Sequence, residues 1–582
     1  MAMTVGEMMV TALAEHGVSK VWGVVGDALN PITDAIRRED RIDWIGVRHE
    51  EAGAFAASAQ AQLTGELGVV MGTVGPGAIH LLNGLYDAKK SHAPVLAIVG
   101  QVPQASIGTS FFQEVNNDRL FDDVSVFTAT VTSAEQMPYL FEQAVNTAIA
   151  QSGVAVLSIP ADVGGLTLPK EATTPHFAPK PTGSTPSADR IGEAVNALQS
   201  AEKVSLLVGR GAQNSREELL ELAEILDSPM VLTLKGKEFL EDENPWQLGQ
   251  SGLIGNPAAI KAMEESDTIF MIGTDFPYRE WIPSGKQMIQ LDINASHIGR
   301  RAQIDVALVG DATESLRLLI AALSSAGVEK DAKDWAEGLR KRYEHWLDGQ
   351  KKLANPHFDE TLLGKLRSLG DNPSKRIRPE GVATALDEVC ADDAIFTSDT
   401  GMSTVWPSRL LPMRGTRRLI GSYNLGSMAN ALPMALGAQA EYPDRQVVAM
   451  AGDGGLMMLA GDLRTAVTYD LPITIVVFNN TKLGMVKLEM EQVGLPEYGT
   501  DLDNPDFAEL GRAMGLEAVQ VSEPEDLADA LRTAVHSSKP YLVEVLTNPD
   551  EVSVPGEIEP SQVYGLARAK ALELLPDVNF RK

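Results

Sequence analysis

Residues 447–455 read VVAMAGDGG and residues 473–480 read ITIVVFNN, and the fold is decided by how these two stretches relate. Each opens with an apolar, β-rich run and closes on small or polar residues. The first ends in Gly452, Asp453, Gly454 and Gly455; the second delivers Asn479 and Asn480, twenty-seven residues beyond Asp453. One strand–helix–strand crossover fills that interval. Two adjacent parallel strands are therefore expected at 447–450 and 473–478, with Asp453 and Asn480 side by side at their carboxyl ends. Apolar runs of the same kind recur at 94–99, 154–159, 204–208, 230–234, 268–272, 288–293, 394–397 and 542–546, separated by helical patterns. Such runs suit strands buried on both faces. Their spread over all three thirds predicts an α/β chain with three open, mostly parallel sheets.

Composition agrees with several domains. A chain of 582 residues exceeds what one hydrophobic core supports, and its 44% hydrophobic content leaves ample material to bury. The Pro-, Thr- and Ser-rich stretch 168–189 reads as a linker. A second break spans about 351–379, where Pro356, Gly370, Pro373 and Pro379 cluster. The expected units are 1–170, a linker at 171–189, 190–340, a connecting segment at 341–379, 380–547, and a tail at 548–582. A formal charge of −30 disfavours nucleic acid as a partner. Phosphate must then be held locally, by backbone N–H groups or a metal ion. Cys390 is the only cysteine, and no secretory pattern or long apolar run is present, so a cytoplasmic location is expected.

A carboxylate, an amide oxygen and a backbone carbonyl suit Mg²⁺, which prefers hard oxygen ligands, and glycines around Asp453 admit a diphosphate to the backbone. A lone GDG reads equally well as a turn whose Asp caps a helix. GDG followed by NN at this spacing, however, resembles the signature of the thiamine diphosphate enzymes. The resemblance implies Asp453, Asn480 and the Lys482 carbonyl as Mg²⁺ ligands. It further implies thiamine diphosphate contacts from Asp399, Gly401, Gly426, Ser427, Gly454, Gly455, Thr481, Leu483, Gly484, Met485 and Val486. Met428 is the expected apolar wedge that bends the cofactor. On this resemblance 1–170 is the pyrimidine-binding domain, 190–340 an FAD-binding domain and 380–547 the diphosphate-binding domain.

Thiamine chemistry needs a carboxyl group against the aminopyrimidine, so that its amino group can take the thiazolium proton. The stretch from Val47 (VRHEEAGAFAASAQAQLTG) resembles the family motif with Glu50 in the catalytic place. Glu51 reads as a helix-start carboxylate and His49 as structural. Gly26 (VVGDALN), Thr73 and Gly75 (TVGPG) match the rest of the pyrimidine domain. Phe112 and Gln113 (FFQE) are the expected pocket contacts for pyruvate.

In the middle third, Gly209 and Gly211 after a strand are a weak nucleotide signal alone. Five strand-end patches strengthen it by resembling the FAD domain of pyruvate oxidases. They hold Thr233 and Lys235; Ser251, Gly252, Leu253 and Ile254; Thr274, Asp275, Phe276, Pro277, Tyr278 and Arg279; Asp292 and Ile293; Asp311 and Ala312. Asp292 is expected on an adenosine ribose.

The resemblance is nearest to bacterial pyruvate:quinone oxidoreductases. It implies thiamine diphosphate, Mg²⁺ and FAD as cofactors, decarboxylation of pyruvate to acetate and CO₂, and a membrane quinone as electron acceptor. It also implies a homo-oligomer, a tetramer built from dimers, because the cofactor spans two subunits. Residues 356–375 look longer than in that group. Quinone-linked members carry an amphipathic C-terminal segment for peripheral contact with the inner face of the cell membrane. Here Val563, Leu566, Leu572, Leu574 and Leu575 offer a short apolar face, which Pro576 interrupts. The rival readings are an acetolactate-synthase-like transferase with non-redox FAD, a phosphate-dependent oxidase using O₂, and a non-catalytic thiamine-binding regulator.

Overall fold

The computed structural model describes residues 3–172, 174–180, 183–362, 364–365, 372–550 and 569. The expected apolar face of the tail lies outside them. The described chain forms three six-stranded sheets. The first holds β1 (Lys20–Gly23), β2 (Asp43–Gly46), β3 (Gly68–Gly72), β4 (Val95–Gln101), β5 (Phe127–Thr130) and β6 (Val154–Pro160). The second holds β7 (Val204–Val208), β8 (Met230–Leu232), β9 (Gln247–Gln250), β10 (Thr268–Ile272), β11 (Gln287–Asp292) and β12 (Val306–Val309). The third holds β13 (Ile395–Ser398), β14 (Arg418–Gly421), β15 (Val447–Gly452), β16 (Thr474–Asn479), β17 (Glu517–Val521) and β18 (Tyr541–Leu546). Every pairing between these strands is parallel, which sharpens the expectation of mostly parallel sheets.

Strand order positions the ligand sites. The first sheet runs β2-β1-β3-β4-β6-β5 and the third runs β14-β13-β15-β16-β18-β17, the same order in local terms. The second runs β12-β11-β10-β7-β8-β9. The first strand of each domain has neighbours of opposite winding, giving a switch point between β1 and β3, between β7 and β10, and between β13 and β15. The crevice outside such a switch point is where open α/β sheets take ligands.

Helix Glu50–Thr64 (EEAGAFAASAQAQLT) ties the first domain to the third. Its Ala, Gly and Ser residues are buried almost all round, so it can be approached closely from two sides. A Cβ on Gly84 would meet the Ala54 Cβ at 2.5 Å, and one on Gly437, in helix Ala431–Glu441, would meet the Ala56 carbonyl oxygen at 2.3 Å. One apolar cluster accordingly runs through both domains, from Trp22 and Phe55 to Leu436 and Leu463.

Local boundaries shift where capping decides them. Helix Ala188–Ser200 starts two residues inside the expected linker, capped by Ser187. Helix Lys333–Leu353 runs through the expected break at 340/341, so the connecting segment begins as its continuation. The 230–234 run stops at Leu232 because Thr233 caps helix Leu234–Leu240, its side chain accepting the Gly236 N–H. Among the described residues no helix is long and apolar enough to cross a membrane.

Candidate active site

β15 and β16 are neighbours, and Asp453 and Asn480 leave their carboxyl ends as the spacing requires. Asp453 Oδ1 accepts the Gly454 N–H at 2.8 Å; Oδ2 accepts the Thr481 N–H at 2.7 Å and the Asn504 amide at 2.8 Å. Asn480 Oδ1 accepts the Lys482 N–H at 3.0 Å. Thr481 holds φ 60°, a left-handed turn that brings its N–H back onto Asp453. The adjacent Asn479 plays a different part: buried, it donates to Glu544 at 2.7 Å and accepts from Asn504 at 3.1 Å. Asn480 is thus the asparagine left with partial exposure. The Lys482 ammonium turns away to Glu497 (2.7 Å) and Asp501 (2.5 Å), so only its backbone is placed to serve the site.

The donor set fits a hard cation. Burial pushes the Asp453 carboxyl above its usual range even though backbone and Asn504 donors pull it down. A divalent cation would supply the missing positive charge, and a carboxylate with amide and carbonyl oxygens is the chemistry Mg²⁺ takes. Apolar side chains crowd the turn. A Cβ on Gly454 would lie 3.0 Å from Leu502, 3.3 Å from Leu483 and 3.3 Å from Met428 Cε, so three apolar side chains gather above a bare backbone. Leu502 and Asn504 were invisible in the sequence, because neither sits in a spaced motif. Gly426 (φ +81°) and Ala429 (φ +66°) bend the chain around Ser427, whose hydroxyl accepts from Asn83 of the first domain at 2.9 Å. Gly484, Met485 and Val486 open helix Gly484–Gln492, with Val486 exposed.

Asp399 lies behind this turn. It is fully buried, accepts the Ala431 and Gly452 N–H groups at 2.9 and 3.2 Å, and burial pushes its carboxyl up to about 7. A Cβ on Gly455 would fall 2.2 Å from Asp399 Oδ2, so glycine there is a packing requirement. Both Asp399 oxygens accept from the loop itself, so the side chain braces the turn. Gly401 (φ +129°) precedes helix Met402–Leu410 on the same side.

The first sheet gathers its own set at its switch point. A Cβ on Gly26 would lie 2.3 Å from Thr73, and one on Gly75 (φ +69°) 2.8 Å from the Gln113 carbonyl oxygen. Thr73 Oγ1 is buried without a hydrogen-bond partner, an orphan that a ligand polar atom would satisfy. Glu50, only 7% exposed, opens helix Glu50–Thr64. One of its oxygens meets His80 at 2.9 Å, and the other has no hydrogen bond among the described residues. Gln113 takes φ 65°, and Phe112 is 79% exposed.

Within this chain the two halves touch beside the catalytic position. The Arg48 N–H donates to Asp462 at 2.8 Å, the Gly46 N–H to the Tyr469 hydroxyl at 2.6 Å, and Asn83 bridges Glu51 to Ser427. Glu51, read as a helix-start carboxylate, therefore also reaches the domain interface. No hydrogen bond joins Glu50 to Asp453 or its partners among the described residues.

In the second sheet the switch point is made by glycine contacts: a Cβ on Gly209 would meet the Gly273 oxygen at 2.7 Å, and one on Gly211 the Gly273 Cα at 2.8 Å. Thr274 accepts the Phe276 N–H at 3.1 Å, Asp275 pairs with Arg301 at 3.0 Å, and the Phe276 and Tyr278 rings meet edge to face over Gly252. Pro277 and Arg279 continue the same exposed segment. Asp292 ends β11, accepting the Asn294 N–H at 2.8 Å beside His297 (3.3 Å), while Ile293 is exposed. Three of the residues expected at the flavin have side-chain partners within the protein. Lys235 is buried against the first domain, its ammonium 3.0 Å from Ser91, and burial lowers it to about 8. Thr233 and Asp311 spend their side chains as helix caps, Asp311 at the start of the helix that opens with Ala312.

Comparison with known proteins decides the family. The N-terminal TPP binding domain of thiamine pyrophosphate enzymes matches residues 3–120, the central domain 191–319 and the C-terminal TPP binding domain 399–545. The chain belongs to the thiamine pyrophosphate enzymes. It is 37% identical to YdaP, a Bacillus subtilis protein named for containing thiamine pyrophosphate, over 97% of this chain and 95% of that protein. It is 31% identical to a pyruvate oxidase of Lactiplantibacillus plantarum (94% of this chain, 89% of the relative). It is also 31% identical to an acetolactate synthase large subunit of Corynebacterium glutamicum (94% and 87%).

Proposed function

We propose that this thiamine pyrophosphate enzyme oxidatively decarboxylates pyruvate to acetate and CO₂ and passes the electrons through FAD to a membrane quinone. When bound, thiamine diphosphate supplies the carbanion chemistry that releases CO₂, and the protein supplies position and electrostatics. Asp453, Asn480 and the Lys482 carbonyl would hold Mg²⁺ and through it the diphosphate. Leu483, Leu502 and Met428 would supply the apolar support for the bound cofactor, and Glu50 would exchange the proton. Phe112 and Gln113 border the pyruvate pocket.

The observation that carries the redox reading is where the candidate flavin segments lie. Ile254 and Met485 pack against the same apolar cluster of the third domain. Tyr278 is raised by burial and by the charges of Glu280 and Glu489, the latter on helix Gly484–Gln492. A flavin held at these strand ends would therefore sit next to the thiamine segment, within reach of its electrons. The exposed Phe112, and a Glu50 with no hydrogen bond to the third domain among the described residues, support a site completed by a second copy, in a dimer or a tetramer of dimers. The cytoplasm, with peripheral contact at the membrane, is the location this activity requires.

The test is the visible spectrum of the purified protein with thiamine diphosphate and Mg²⁺, before and after anaerobic pyruvate. Flavin bands that bleach promptly and recover with a quinone support the proposal. Recovery only with O₂ and phosphate indicates the phosphate-dependent oxidase. Unchanged flavin bands during CO₂ release indicate a synthase-like transferase, the reading favoured by the acetolactate synthase relatives. Absence of CO₂ release rejects all three.

A further inference from the structure

Glu50 is bonded to one of two stacked histidines that the proposed chemistry does not use. His80 Nδ1 lies 2.9 Å from Glu50 Oε2, and the His80 ring stacks on His49 with centroids 4.4 Å apart and planes 24° from parallel. His49 caps helix Glu50–Thr64, its Nδ1 accepting the Glu51 N–H at 3.3 Å. A ring nitrogen that accepts carries no hydrogen, so neutral His49 is the Nε2–H tautomer. An ionised carboxylate only accepts, so His80 must carry its hydrogen on Nδ1. The stacked rings are thus fixed as opposite tautomers by partners on opposite sides. Glu50 Oε1 faces Gly77, where an added Cβ would stand 3.1 Å away, and keeps that side clear of protein donors. The other charged groups around the pair are Glu51, 4.0 Å from His49 Nδ1, and Arg48 with Asp462 across the domain boundary.

We infer that His80 is a positioning residue: by donating Nδ1–H to Oε2 it fixes the Glu50 carboxylate so that Oε1 is the oxygen offered to the cofactor. This rests on the assignment of Glu50 above. A hydrogen bond to a charged group is worth about tenfold to a hundredfold in an equilibrium or rate that depends on it. Unlike a general packing role, this one depends on a donor at the place of Nδ1. Asparagine puts an amide N–H close to that place, whereas leucine does not.

Two measurements test it. In the cofactor-free protein, ¹⁵N NMR of labelled histidines at neutral pH should show His80 as the Nδ1–H tautomer and His49 as the Nε2–H tautomer; an Nε2–H His80 overturns the inference. In protein loaded with thiamine diphosphate and Mg²⁺, hydrogen exchange at thiazolium C2 should slow about tenfold or more in His80→Leu and largely recover in His80→Asn. Equal slowing in both variants, or none in His80→Leu while Glu50→Gln is slow, overturns the role of His80 and leaves Glu50 standing. Undiminished exchange in Glu50→Gln instead removes the assignment on which the inference depends.

Discussion

The first and third sheets share one strand order and differ in what they place at its ends. At the first switch point Gly26 packs on Thr73, and the functional carboxylate, Glu50, arrives after β2 at the sheet's edge. At the third, Asp399 braces the Gly452 and Gly455 turn, and the functional oxygens follow β15 and β16 in the sheet's interior. A common scaffold therefore specifies where a ligand goes but not which groups meet it. On the proposed function, the third sheet holds charge and the first exchanges a proton. The second sheet, with its different order, uses glycine-to-glycine contact at the reversal.

The largest effect that can break this contrast is on turnover. Glu50→Gln should lower the rate of pyruvate-dependent CO₂ release by about 10²–10⁴-fold, the usual contribution of a general acid–base group, measured by steady-state kinetics with saturating cofactor. Next comes Asn504→Ala, which removes a donor from Asp453 without touching an expected ligand. Its thiamine diphosphate affinity at fixed Mg²⁺ should fall about 10–100-fold by fluorescence titration, as for other supports of a metal ligand. Gly455→Ala forces a Cβ to within 2.2 Å of Asp399 and Gly26→Ala to within 2.3 Å of Thr73; each should cost about 1–3 kcal/mol in urea unfolding. The third-domain change should be the worse of the two, because the buried Asp399 carboxyl loses hydrogen bonds as it moves.

The remaining effect is a pH dependence, spread over several pH units. Asp399 has a folded pKa of about 7, raised by burial, so the folded state binds its proton more tightly than the unfolded chain does. Its protonated form stabilises the fold fully below the unfolded value of about 3.9, and that contribution is lost as pH rises through about 7, at up to about 1.4 kcal/mol per pH unit. Cofactor-free Asp399→Asn should therefore show a flatter decline in stability than the parent between those limits. Parallel curves would show that Asp399 does not titrate in this range.

Much of the third domain was legible because its signal is both apolar and spaced: the 447–450 and 473–478 runs became β15 and β16, and Asp453 and Asn480 followed from the crossover length. Short strands without a strong apolar run, such as Asp43–Gly46 and Glu517–Val521, carried little pattern because they are partly exposed. In the middle domain Thr233, Lys235 and Asp311 have ligand-like residue types at strand ends. Capping and an interdomain contact claimed their side chains, and both depend on partners distant in sequence. The His80 contact with Glu50 was hidden for the same reason, since thirty residues separate the two.

The division of labour between the two like-ordered sheets is tested most directly by titrating thiamine diphosphate, at fixed Mg²⁺, into Glu50→Gln and Asp453→Ala. The third sheet should hold the cofactor and the first should activate it. Asp453→Ala should thus lose affinity by about 100-fold or more, beyond what a supporting residue costs, while Glu50→Gln binds within a few-fold of the parent. Equal losses in both variants, or a larger loss in Glu50→Gln, would contradict the account.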